Sequence, residues 1–210
     1  MGIKKRDRRE KKLLFEGGLH PCLEKLFDGL TLNILWLLCC VPVITIGAST
    51  AAFYYTTTKV LRGERGHILP EFWRSFRLNF VKAVVLFLIF AVLLFIIAIN
   101  MRIAPEIDRG YFGIFLICLY FALGAVIFAF MIYAFPALSR FEMNAFWILK
   151  LSVYMTFRYF HYTLALLGIY AAAGIIIYYI PFFIIFVPSL ALLAASHLLE
   201  RLLIRHTPAP

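Results

Sequence analysis

Charge is what this chain has least of. Only 15% of its 210 residues are Asp, Glu, Lys or Arg, while 63% are hydrophobic. Soluble domains carry about 25% charged and about 45–50% apolar residues. A single soluble core cannot hide such an excess of apolar surface, so much of it must face lipid. A mean hydropathy of +0.90 agrees.

Motifs that carry reaction chemistry are also missing. There is no C-x-x-C, H-E-x-x-H, G-x-S-x-G or phosphate-loop pattern. His20, His67, His161, His197 and His206 are scattered, and the four cysteines (Cys22, Cys39, Cys40, Cys118) have no histidine cluster beside them. Adjacent Cys39 and Cys40 would point about 100° apart on a helix, a poor geometry for a disulfide. The loops are too short for a catalytic domain. No catalytic residue, cofactor or metal site is expected, and the chain reads as a non-enzyme.

The charges that are present lean one way, 21 Lys and Arg against 11 Asp and Glu, a formal net charge of +10. They flank apolar segments, which points to membrane orientation and anionic lipid head groups and not to nucleic acid. Residues 1–20 open with "MGIKKRDRREKK" and read as a basic cytoplasmic tail.

Four apolar regions follow. A bilayer core of about 30 Å needs about 20 helical residues. Phe80–Met101 and Tyr111–Leu138 fit one span each. Tyr162–Leu203 is about twice as long and holds Pro181 near its middle, so it divides into two. The first region, "LNILWLLCCVPVITIGASTAAFYY", is broken by Pro42. Basic residues precede it, and Lys59, Arg62, Arg65, Arg74, Arg77 and Lys82 follow it. Both flanks belong on the cytoplasmic side, so the region must cross an even number of times or dip in as a re-entrant hairpin. It is too long and too late in the chain for a signal peptide.

The expected fold is all-α: a polytopic transmembrane bundle of about six helices with both termini cytoplasmic. The spans are read at 22–41, 43–61, 79–101, 111–136, 160–180 and 182–203, within one domain at 21–205, before a short tail at 206–210. Leu86 is placed mid-span among interchangeable lipid-facing residues. One or two inner interfacial amphipathic helices are added. "EFWRSFRLNF" sets the adjacent Phe72 and Trp73, then Phe76 and Phe80, at three- to four-residue steps among basic side chains, and "NAFWILKLSVYMTFRY" echoes it.

Two groups of residues are candidates for function. Asn33, Pro42, Thr45, Gly47, Ser49 and Thr50 concentrate small and polar side chains in the first hairpin. They suit close helix packing, a polar path for a solute, or a partner face. Phe72, Trp73, Phe76, Arg77, Asn79 and Phe80 form a candidate inner dock, with Phe76 and Arg77 expected to act together.

Asn33, Trp36, "PVITIG" (Pro42–Gly47), the small-residue helix after it, "LRGERG" (Leu61–Gly66) and "EFWRSFRLNF" together resemble the YesL family of small bacterial membrane proteins, a domain of unknown function. The resemblance covers roughly residues 15–85 and continues more loosely to "FPALSRFE". It implies a multi-pass protein of the bacterial plasma membrane with a role beside carbohydrate uptake. The function expected on that basis is an accessory protein docking on a membrane partner, such as the permease of a sugar ABC importer. The alternative is a small-solute transporter or channel for a neutral, sugar-like compound. Few ionisable residues lie within the spans, which favours docking over ion-coupled transport.

Overall fold

The computed structural model describes residues 20–62, 66–107, 110–141 and 143–204. The expected terminal tails lie outside these, apart from His20. Among the described residues there are seven α-helices and no strand. They are α1 (His20–Cys40), α2 (Ile46–Thr56), α3 (Ile68–Ile107), α4 (Tyr111–Arg140), α5 (Ala145–Arg158), α6 (Phe160–Tyr179) and α7 (Val187–Ile204). Single 3-10 turns at Val43–Thr45 and Pro181–Ile185 close the two hairpins at the prolines, and a π-helical turn, Thr57–Arg62, extends α2.

Three helices, α3, α4 and α6, are long and apolar enough to cross a membrane. Their large side chains are widely exposed, among them Val81, Phe95, Phe115, Phe121 and Ile175. Such a surface in water would be ruinous, so it is a lipid-facing surface. In α1 the apolar stretch is shorter, Phe27–Cys40.

The centre of the bundle is α2. Gly47, Ala48, Ser49, Ala51, Ala52, Phe53, Tyr54 and Thr56 are all buried. Around them pack Leu32 of α1, Phe72, Leu86 and Phe90 of α3, Tyr133, Phe135 and Leu138 of α4, and Leu199 of α7. Small side chains allow the close approach. A Cβ added at Gly47 would lie 2.6 Å from the Ala83 carbonyl oxygen and 2.8 Å from Phe87 Cβ. Without a hydrophobic drive between helices in lipid, packing at this range is what holds them together.

Two expectations need correction. The amphipathic segment Glu71–Phe80 is not a helix of its own. It is continuous with the following span in the 40-residue α3, about 60 Å long at 1.5 Å per residue. That is twice the bilayer core, so its first turns overhang the span. Nothing between Glu71 and Ala104 breaks the backbone: the segment has neither Gly nor Pro. Leu86 does not face lipid; it is fully buried in the core. Leu is equally at home against lipid and against protein, so hydropathy alone does not tell the two faces apart.

The second amphipathic segment does stand apart, as α5. Tyr159 breaks it from α6 at φ −114°, ψ 46°. Thr163 secures the break: its hydroxyl lies 3.1 Å from the Thr156 carbonyl and 3.0 Å from the Tyr133 hydroxyl on α4. A buried hydroxyl here satisfies a carbonyl that the interrupted helix leaves free.

Candidate functional site: a cationic recess at the start of α3

The first group of candidate residues is spent on the hairpin itself. Pro42 is exposed at the turn, and Thr45 Oγ1 lies 2.6 Å from the carbonyls of both Cys39 and Pro42, clamping it. Ser49 donates to the Trp36 carbonyl at 3.1 Å, which ties α2 to α1. Thr50 donates to the Ile46 carbonyl at 2.7 Å and accepts from Trp36 Nε1 at 3.4 Å. The hydroxyls of Thr56, Thr57 and Thr58 bond back to carbonyls one turn earlier. Asn33 is fully buried. Its amide donates to the Ile185 carbonyl at 2.8 Å and to Ser189 Oγ at 2.9 Å, joining α1 to the second hairpin. Polar groups at this depth are stable only when bonded, and these are bonded to the fold apart from Asn33 Oδ1, which has no hydrogen-bond partner among the described residues.

The second group divides into inward and outward members. Phe72 is fully buried in the core. Phe76 and Phe80 are half-buried and touch, with ring centroids 5.5 Å apart. Trp73 is 45% exposed, stacks on Phe76 at 5.4 Å, and carries the Arg77 guanidinium over its ring at 5.2 Å. Thus Arg77 works with Trp73 and not primarily with Phe76: one turn separates positions 73 and 77, which puts them on one face. Asn79 turns to the other side, where its amide bonds the Ser75 carbonyl at 3.2 Å and approaches Ser75 Oγ at 3.4 Å.

On that other side lies a recess of about 360 Å³ between the first turns of α3 and the end of α4. Arg74, Ser75, Asn79 and Lys82 line it from α3, Ser139 and Arg140 from α4, and Tyr55 from α2. Positions 75, 79 and 82 follow i, i+4, i+7, one stripe of a helix. Arg140 is fixed from behind. It pairs with Glu200 of α7, whose other oxygen accepts the hydroxyl of the fully buried Tyr54 at 3.2 Å. Just outside the recess Lys59 Nζ sits 2.7 Å from Glu71 Oε2. The hydrogen-bonding contact with Lys59 holds the Glu71 carboxyl below its usual range, more than its partial burial raises it.

The sequence shows Arg74 and Lys82 as interleaved basic residues, but nothing in it joins them to Arg140, 58 positions beyond Lys82. Only the pairing of α3 with α4 does so. Among the described residues no group of three His, Cys, Asp or Glu side chains is placed to hold a metal.

Helices of this length and apolarity, packed round a buried hairpin, define a helical membrane protein. Residues 30–101, from α1 through the hairpin and most of α3, match the family model described as "Protein of unknown function, DUF624". Members of the YesL family carry this domain, in agreement with the resemblance of the motifs from Asn33 to Phe80. Comparison with curated proteins and with solved structures gave no match.

Proposed function

We propose that the protein is a non-enzymatic accessory subunit of the bacterial plasma membrane that docks on another membrane protein through the overhanging start of α3. In this reading six crossings leave both termini in the cytoplasm. The observation that carries it is the contrast between the two candidate surfaces. The hairpin's hydroxyls and the Asn33 amide nitrogen are committed to internal bonds, which leaves Asn33 Oδ1 as the one buried hairpin side-chain atom without a partner among the described residues and little else to line a solute path. Trp73 and Arg77, by contrast, are exposed and already ordered against each other. Exposed Trp and Arg are the residue types that dominate binding energy at interfaces, and a pre-ordered pair loses less entropy on docking. The family resemblance suggests a sugar ABC importer as the partner. A transporter or channel for a neutral solute is the alternative, and it would have to draw on the same hairpin groups.

A matched pair of double variants tests this. Trp147 and Lys150 on α5 form a second cation–π pair, also at 5.2 Å. After purification in mild detergent from the native membrane, Trp73→Ala with Arg77→Ala should lower recovery of the co-purifying membrane protein about tenfold. Trp147→Ala with Lys150→Ala should leave it within twofold. Equal recovery in both, or sugar flux by the pure protein in liposomes, would overturn docking through α3.

A further inference from the structure

We propose that the recess between α3 and the end of α4 is a binding site for a phosphate-bearing anion. Three cations from two helices, Arg74, Lys82 and Arg140, line one cavity. Glu200 neutralises one of them through Arg140, which leaves two positive charges among the described residues. Neither Arg74 nor Lys82 has a described carboxylate within ion-pair distance; the Glu71 carboxylate is paired with Lys59 and feels Arg74 only through a weaker, longer-range attraction. The C-terminal end of α4 opposes an anion with roughly half a negative charge, which does not reverse that excess. A phosphate monoester carries about −1.5 to −2 at neutral pH, a close match.

Basic residues gather at the inner rim of any membrane protein, so charge alone would be unremarkable. Concavity and hydrogen bonding distinguish this cluster. Ser75 is only 3% exposed. Its oxygen accepts from the Asn79 amide at 3.4 Å. The hydroxyl hydrogen turns about the C–O bond and can be offered to an anion in the recess. Arg140 is held at the rim by Glu200, which the Tyr54 hydroxyl bonds in turn, so its guanidinium is oriented before the ligand arrives. Leu78, Leu138 and Phe141 supply an apolar wall, and the volume of about 360 Å³ holds more than a bare phosphate. Basic pockets between transmembrane helices at head-group level bind lipid phosphates, and the same donors would accept a soluble phosphate.

Residue-specific protection distinguishes the two sources in the intact wild-type protein. Lys82 in the detergent-solubilised full chain is modified with an amine-reactive reagent and followed by mass spectrometry, with Lys150 as the internal reference. The probes are phosphatidylglycerol against phosphatidylcholine, and inorganic phosphate against chloride at equal ionic strength. Slowing of Lys82 labelling at least threefold, without change at Lys150, is the expected result. Protection by phosphatidylglycerol alone assigns the site to a lipid head group, and protection by phosphate alone to a soluble anion. In either case Arg74→Gln with Lys82→Gln, assayed by equilibrium binding of the protecting probe, should weaken binding about tenfold. Protection by neither probe, or equal protection of Lys82 and Lys150, overturns the proposal, and does so without reference to any protein partner.

Discussion

Gly47 shows how much one missing side chain can decide. The α2 backbone there meets the Ala83 carbonyl on α3, and an added Cβ would sit 2.6 Å from that oxygen. The obstacle is backbone, not a flexible tip, so one helix must move. Overpacking of this kind costs about 1–3 kcal/mol, and a leucine costs more than an alanine. We therefore expect Gly47→Ala to lower the thermal midpoint in detergent by several degrees and Gly47→Leu to prevent recovery of folded protein. Leu88→Ala, at a position 48% exposed on the lipid face of α3, should change the midpoint by little. Fluorescence-detected size exclusion after a temperature ramp measures all three, and equal midpoints would mean that α2 and α3 are not in close register. The sequence displayed Gly47 clearly, as a glycine among small residues beside a proline. It did not display Leu86, whose neighbours in the chain look the same whether they meet lipid or protein.

At the scale of elements, one ion pair among the described residues ties α3 to the hairpin at its overhanging end, beside the packing of α2 on α3. Lys59, on the π turn after α2, bridges to Glu71 in the first turn of α3. The geometry suits an acidic residue near a helix N-terminus, where the backbone N–H groups are unpaired. Glu71 has its folded-state pKa lowered, first by the hydrogen-bonding contact with Lys59. A depressed carboxyl contributes stability that is present above the ordinary glutamate range, about 4.3, and is lost as pH falls through the folded value. Wild type should therefore exceed Glu71→Gln in thermal midpoint at pH 7, with the gap closing below about pH 4. A gap that stays constant from pH 7 to pH 3 would assign the difference to packing. The two hairpins were legible because an apolar run longer than one span, with a proline inside it, has few other solutions. The merger of the amphipathic segment into α3 was not. Pro70 and the change from mixed to wholly apolar composition both suggest a boundary, but neither interrupts hydrogen bonding after Glu71. The recess was also illegible, since its two walls come from distant parts of the chain.

For the whole molecule the decisive quantity is sidedness. Three helices meet the length and apolarity of a span. The buried α2, 11 residues long, is too short by itself to span a bilayer core, and the final α7 carries Glu200 and Arg201. The six crossings proposed above would leave only Arg102 and Arg109, balanced by Glu106 and Asp108, on the outer side. Single cysteines test this in a background with Cys22, Cys39, Cys40 and Cys118 replaced. Val43 and Phe182 are exposed at the two proline turns, and His67 is exposed just before α3. His67 is a better reporter than its neighbour Gly66, whose φ of +89° would strain any side chain. With a membrane-impermeant thiol reagent on intact cells, Val43→Cys and Phe182→Cys should label, and His67→Cys should label only after permeabilisation. Labelling of position 67 in intact cells would place the cationic recess outside and reverse the topology. Labelling of position 43 but not 182 would leave the first hairpin intact and remove the second from the count of crossings. A fully crossing first hairpin exposes position 43 to the outer medium, whereas a re-entrant one holds it within the bilayer, out of reach of a charged reagent.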